Sequence, residues 1–512
     1  MGHDHPHARL SDTPIAIVGL GGLYPRSGDL REFWSNIAES TDCISEVPET
    51  HWKVSDYYDA DPTAPDKTYC RRGGFIPPVP FNPLEFGLPP SILEVTDVLQ
   101  ILSLVVARDT LADTGVQDAP WYDPTRTGVI LGITGANSLT QPLATRLQTP
   151  MLKRVVRSAG LGDAVADEIA DAFAAAFAPW EENSFPGMLG NVVAGRIANR
   201  FDFGGTNCTI DAACASSMAA VHMAASELVS GRADLMLSGG CDAENTIFMY
   251  MCFSKTPALS RSEQIRPFDR DADGTLIGEG IGMLAMKRLA DAERDGDRIY
   301  SVLRGIGTSS DGRFKSIYAP RASGQVLALQ RAYDDAAVDA ASIGLLECHG
   351  TGTAVGDETE LSALREVYDA ADVPTGSVAI GSVKSQIGHT KAAAGAASLI
   401  KLSLALHQKM LPATINVDRP AKSLHDSPFH ISGQARPWVL EPERTTRRAA
   451  ASSFGFGGTN FHCVLEESDP VGLDLRMLHP VSRVHLWHAP DPAALLAQLD
   501  AGDIGLDETE SE

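Results

Sequence analysis

Cys214 stands in the run TIDAACASSMAAVHMAASELVSG, after a strand-like Thr-Ile pair and at the start of an alanine-rich helical stretch that reaches toward Gly231. A cysteine at a helix N-terminus faces unsatisfied N–H groups and the positive end of the helix dipole, and both favour the thiolate. The expectation is a nucleophilic sulfur with a pKa below the free value of about 8.5. Ala212, Ala213 and Ala215 are small enough for a sharp strand-to-helix turn and for close approach of a substrate. The competing reading is a buried, inert thiol, and spacing alone leaves both open.

A reactive cysteine calls for histidines that meet it in space rather than in sequence. Two sit in glycine-rich contexts after strand-like runs: His349 in IGLLECHGTGTAVGD and His389 in IGSVKSQIGHTKAAAG. Flanking glycines let the chain turn tightly and leave an imidazole open at a strand end. His407, His425 and His430 lack such contexts and read as ordinary core or surface residues. In SSFGFGGTNFH, Gly455, Gly457 and Gly458 form a loop carrying Phe454 and Phe456. Its N–H groups could hold an oxyanion and its rings could gate an apolar pocket; the alternative is a plain hairpin turn.

The elements that must position these groups are short β-branched runs ending at glycine: IAIVGL (15–20), GVILGI (128–133), ADLMLSGG (233–240) and VAIGSV (378–383). They predict buried strands. Between them lie helical patterns, such as DAVADEIADAFAAAF with Val165, Ile169, Phe173 and Phe177 on one stripe. The alternation predicts an α/β fold. AAAGAASLIKLSLALHQKM is small and apolar on every side, which predicts a helix at the centre of the molecule. GLGG at 19–22 follows a strand, but Tyr24 stands where a dinucleotide fingerprint needs its third glycine, so a nucleotide site is disfavoured.

The 512 residues suffice for a large apolar core, and no run approaches the ~20 apolar residues of a membrane helix. The N-terminus lacks an export signal, so the cytoplasm is the expected location. Eight scattered cysteines contain no C-x-x-C pair, which argues against a disulfide scaffold or zinc site; His3, His5 and His7 read as solvated rather than metal-binding. A net charge of −24 argues against general nucleic-acid binding. After residue 468 the chain changes character: SRVHLWHA suggests a strand, DPAALLAQLDAG a helix, and DETESE an acidic end. That tail, 469–512, reads as the start of a linker to a following domain.

DAACASS, CHGTGT, KSQIGHT and FGFGGTN, in that order, resemble the β-ketoacyl synthase family of condensing enzymes. IAIVGLGGLYP, GNVVAGRIANRFDFGG and RPFDRDADGTLIGEG support the resemblance, which covers about residues 12–468. KTYCRRGGF (67–75), FNPLEFGLPPSILEVTD (81–97), WEENSFPG (180–187), FKSIYAPRASGQ (314–325) and Gln386 resemble the ketosynthases of polyunsaturated-fatty-acid synthases and iterative polyketide synthases.

The resemblance implies a thiolase fold of two pseudo-symmetric βαβ-containing halves in five layers, 12–262 carrying the nucleophile and 263–468 the histidine pair. It implies a homodimer, an acyl carrier protein as partner and an acyltransferase domain further along a longer polypeptide. No cofactor is expected on this chain; phosphopantetheine arrives on the carrier. The catalytic set implied is Cys214, His349, His389 and Lys384. Cys214 and Phe456 would form the oxyanion hole, Phe456 and Phe454 the gate. Thr351 and Thr353 would contact pantetheine, and Glu360 and Asn460 would support the site. Arg71, Arg72, Arg266, Arg270, Arg313, Lys315 and Arg321 are candidates for a basic rim that meets the carrier. A degradative thiolase would need a second cysteine in the FGFGGTN loop, and a silent chain-length-factor-like partner would lack Cys214. A non-condensing acyltransferase or hydrolase would have no use for two histidines with Lys384.

Overall fold

In a computed structural model of the protein, the residues described are 9–134, 138–440, 444–468, 487 and 489–500. The four glycine-terminated runs each contribute a strand, three of them among the first five in the chain: β1 (Ile15–Leu23), β2 (Thr127–Gly132), β3 (Asn207–Ile210), β4 (Leu235–Asp242) and β5 (Gly280–Arg288), of which β1, β2 and β4 are the expected ones; the fourth run forms Val378–Gly381. The chain then adds β6 (Ser301–Ser310), β7 (Leu345–Glu347), β8 (Val378–Gly381), β9 (Phe429–Ile431), β10 (Arg448–Gly455) and β11 (Thr459–Glu466). Together they make an eleven-stranded sheet in the order β9-β8-β7-β10-β11-β6-β1-β5-β4-β2-β3.

The order contains a repeat. From one end, β3-β2-β4 are parallel neighbours and β5 and β1 follow antiparallel. From the other, β8-β7-β10 are parallel and β11 and β6 follow antiparallel, with β9 added outside β8. The two half-sheets meet where Ile15–Ile17 of β1 pair antiparallel with Ser301–Leu303 of β6. β5 lies beyond residue 262 and pairs with β1 and β4.

Five helices complete the layers: α1 (Val98–Thr114), α2 (Ser216–Val229), α3 (Ala322–Ala336), α4 (Ala354–Ala370) and α5 (Ala394–His407). α1 packs outside on β1, β5 and β4; α3 packs outside on β6 and β11 and carries α4 beside it. α2 and α5 touch each other and strands of both half-sheets, which makes them the central layer. α5 is buried from Ala394 through Leu406, as its all-round apolar sequence requires. The GLGG glycines serve packing: a Cβ on Gly19 would lie 2.3 Å from Thr114 Cγ2, and one on Gly21 would lie 2.2 Å from Thr110 Oγ1.

One expected stripe faces the wrong way. The helix Asp163–Ala175 buries Ala166 and Ala170, while Val165 and Ile169 are 42% and 39% exposed. Its small face, one position along, is the one turned inward. The tail from Ser468 forms a separate compact unit in which the expected helix spans Pro492–Asp500. The strand expected at 482–489 falls largely outside the described residues, as do DETESE and His3, His5 and His7.

Between the central layer and the second half-sheet, Lys401 of α5 pairs with Glu347 of β7 at 2.6 Å, both fully buried. The other carboxylate oxygen accepts the Val383 N–H at 2.6 Å. Lys401→Met is expected to cost about 3–5 kcal/mol, because it strands a buried charge. The double variant Glu347→Gln, Lys401→Met should cost less; urea unfolding of both measures the difference.

Candidate active site

Cys214 lies in the tight turn Ala213–Ala215 between β3 and α2. Ala213 is held at φ +50°, a left-handed conformation that costs a residue with a Cβ about 1–2 kcal/mol. The surroundings enforce it. Asp211 Oδ1 accepts the Ala213 N–H at 2.9 Å, and Ser216 Oγ accepts the Ala212 N–H at 2.9 Å while donating to the Ala213 carbonyl at 2.6 Å. The β10–β11 hairpin leans directly on this turn: a Cβ on Gly455 would sit 2.3 Å from the Ala212 carbonyl. Ser453 Oγ donates to the Cys214 carbonyl at 2.7 Å, and the Phe456 N–H donates to the Cys214 sulfur.

The resting thiol differs from the sequence expectation. Burial pushes it up to about 11, against the pull of Lys384 and Lys391 and of the Phe456 N–H, with Asp242 pushing the same way as burial. Desolvation is the largest influence on this residue, which is 8% exposed.

His349 and His389 meet edge to face, with ring centroids 5.5 Å apart and planes at 88°. Each Nδ1 accepts a backbone N–H: Phe454 N–H to His349 at 3.3 Å, and Lys391 N–H to His389 at 3.3 Å. Burial drives both imidazoles well below the ordinary histidine range, and the Lys384 charge adds to this. Both rings are therefore neutral with the proton on Nε2, the nitrogen left to face a ligand.

The other expected residues gather around this pair. Glu360 of α4 takes the His349 N–H at 2.7 Å and the Gly350 N–H at 2.8 Å on its two carboxylate oxygens. Lys384 is buried; burial lowers its pKa, against the charges of Glu347 and then Glu360, and burial raises the pKa of Glu360. Thr351 and Thr353 share a hydroxyl hydrogen bond of 2.9 Å at the start of α4. Asn460 donates to Asp311 at 2.8 Å, and Asp311 N–H bonds the Gly458 carbonyl, which pins the hairpin. Phe456 is 50% exposed, while Phe454 stacks obliquely on His349 with centroids 5.5 Å apart.

Of the expected basic rim, Arg71 faces Glu46 and Glu263. Arg72 bonds the Glu263 and Ile44 carbonyls, Arg266 the Gln264 side chain, and Arg270 the Pro420 carbonyl. Arg321 bonds the Asp311 carbonyl, and Lys315 lies over Phe314.

Sequence reasoning missed Asp357, Asp242 and Lys391. Asp357 accepts N–H groups from Phe268 and Gly352, and burial pushes it up to about 7. Lys391 is buried against Asp242 at 2.9 Å. The one signal for it was a lysine inside the otherwise small, apolar run after His389.

Comparison with known proteins places the β-ketoacyl synthase N-terminal domain on residues 12–292 and the C-terminal domain on residues 300–418. One chain of the polyunsaturated fatty acid synthase of Thraustochytrium sp. is 44% identical over 95% of this chain, which spans 17% of that relative. Polyketide synthase PksN of Bacillus subtilis is 34% identical over 92% of this chain, which spans 8% of it. The ketosynthase from module 6 of the Bacillus subtilis bacillaene synthase superposes with a TM-score of 0.74 at 33% identity, covering 90% of this chain and 73% of that one.

Glu360→Gln replaces a two-oxygen acceptor with one oxygen and a clashing donor. It should lose about 1.5–3 kcal/mol of stability, the worth of a hydrogen bond to a charged group. Denaturant melts of this variant against Glu358→Gln, at an exposed position nearby, provide the check.

Proposed function

We propose, for a chain that belongs to the β-ketoacyl synthase family, that it condenses an acyl group held on Cys214 with a malonyl thioester, within a longer fatty-acid or polyketide synthase. The observation that carries this reading is that adjacent hairpin residues hold the Cys214 turn and His349, Ser453 through the Cys214 carbonyl and Phe454 through His349 Nδ1, while His349 meets His389 edge to face with both Nδ1 atoms already occupied.

In the first step the Cys214 sulfur attacks an acyl thioester delivered on the phosphopantetheine of an acyl carrier protein. The thiol proton ends on the departing carrier sulfur, so the step is an even exchange of thioesters. Lys384, Lys391 and the Phe456 N–H favour the small thiolate fraction that reacts. The tetrahedral oxyanion is held by the Cys214 and Phe456 N–H groups, each such donor contributing about 2.7–4 kcal/mol.

In the second step a malonyl thioester loses carbon dioxide, and its oxygen takes up enolate charge against the two Nε2–H groups. Neutral imidazoles suit this role because they donate without surrendering the proton. The carbanion attacks the acyl-Cys214 carbonyl, the same oxyanion hole serves again, and collapse releases a β-ketoacyl carrier and regenerates the sulfur. In this reading the Thr351 and Thr353 hydroxyls guide the pantetheine, Phe456 and Phe454 gate the acyl channel, and Lys384, Glu360 and Asn460 hold the set in place.

A homodimer completes the proposal, along with a carrier-protein partner, an acyltransferase domain further along the polypeptide and a cytoplasmic location. The dimer is supported by β3, which ends the sheet, and by exposed apolar residues between β2 and β3 in the chain, among them Met151, Val155 and Phe185. No helix among the described residues is long and apolar enough to cross a membrane. The presence of Cys214 disfavours a silent chain-length-factor role, and the histidine pair disfavours transfer without condensation.

Incubation with an acyl donor and malonyl carrier, followed by mass analysis of Cys214 and of the carrier, tests the reading. The expected result is acyl-Cys214 followed by a carrier-bound product two carbons longer with a β-keto group. Acylation without that product would remove condensation.

A further inference from the structure

We propose that Lys391 and Asp242 form a buried charge pair that sets the reactivity of the Cys214 sulfur, with Lys391 activating it and Asp242 restraining it. This deepens the reading of Cys214 as the nucleophile and rests on it.

Lys391 opens the turn Lys391–Ala393 that leads into α5. Its ammonium lies 2.9 Å from Asp242 Oδ1, 2.9 Å from Asn245 Oδ1 and 2.9 Å from the Gly278 carbonyl. Three donors meet three acceptors, so the head group has one position. Asp242 ends β4, and its carboxylate also takes the Glu244 N–H at 3.1 Å. Both side chains of the pair are 2% exposed, so water does little to screen them.

The pair is wired to both halves of the site. The backbone N–H of Lys391 fixes His389 Nδ1, and Lys391 adopts φ +50° to present it. The same turn packs on the Cys214 turn, where Ser217 Oγ donates to the Ala392 carbonyl at 2.5 Å. The charges that act on the sulfur are Lys384 and Lys391, which favour the thiolate, and Asp242, which opposes it. Glu244 lies beside the pair, but burial, and then the Asp242 charge, push it up to about 8, so it adds little charge at neutral pH. Glu279 also faces Asp242 and is occupied by His51 and the Ile76 N–H.

A purely structural ion pair gives no reason for placement in the turn that packs on the Cys214 turn. An apolar pair of similar volume is often as stable or more so. A cation beside the nucleophile, restrained by one carboxylate, instead tunes how much thiolate forms at neutral pH.

The test is the pH dependence of Cys214 alkylation by iodoacetamide, read by mass spectrometry on the full chain. Alkylation consumes thiolate, so below the thiol's titration its rate falls about tenfold for each unit the pKa rises. Lys391→Met removes the cation but keeps the N–H that holds His389, and should slow alkylation at pH 7.5 by about tenfold, one such unit. Asp242→Asn removes the restraint and should speed it severalfold. A structural lesion would move both variants the same way, so a shared direction, or no change in either, overturns the proposal. If Lys391→Met does not fold, the double variant Asp242→Asn, Lys391→Met leaves no unpaired buried charge. It should alkylate more slowly than Asp242→Asn alone, and failure of that difference is equally fatal. Opposed shifts in a protein that makes no β-keto product would leave this proposal standing and remove condensation instead.

Discussion

The arrangement depends on desolvation. Burial is the first influence on every titrating group resolved among Cys214, His349, His389, Lys384, Glu360, Asp357, Asp242 and Lys391. Burial penalises whichever form is charged. It keeps the thiol and the imidazoles neutral, and the buried lysines Lys391 and Lys401 each hold a carboxylate at hydrogen-bond distance. A site built this way is dry before substrate enters, so N–H groups aimed at a developing oxyanion work at full strength.

The repeat in the sheet, which is that of the thiolase fold, explains how one molecule supplies both kinds of group. Cys214 follows β3 and precedes α2; His389 follows β8 and precedes α5. The same strand-turn-helix unit has been used twice, once to present a sulfur and once an imidazole. Both turns carry a residue at positive φ, Ala213 and Lys391, and both lead into helices small enough to share the central layer. His349 and the β10–β11 hairpin then come from the second half, which is why the site needs both repeats.

Much of this was legible in the sequence because it rests on local signals. Glycines that punctuate β-branched runs marked β1, β2, β4 and β8, and the apolar run after His389 marked the buried α5. The two histidine motifs led to rings that meet edge to face. What failed was non-local. The thiol is pushed up by burial, which segments distant in the sequence create and the local sequence does not display. Lys391 and Asp242 are far apart in the chain, so nothing in either segment announces the pair. The Val165 stripe misled because periodicity finds an apolar face but cannot say what covers it.

The central claim is that both histidines are neutral and hold their proton on Nε2, poised to donate. Nitrogen-15 NMR of histidine-labelled protein, with His349→Ala and His389→Ala used for assignment, reads tautomer and charge directly. The account predicts, at pH 7, a protonated Nε2 and a bare, hydrogen-bonded Nδ1 for both rings, unchanged as the pH falls through 6. An imidazolium at either position, or a proton on either Nδ1, would contradict it.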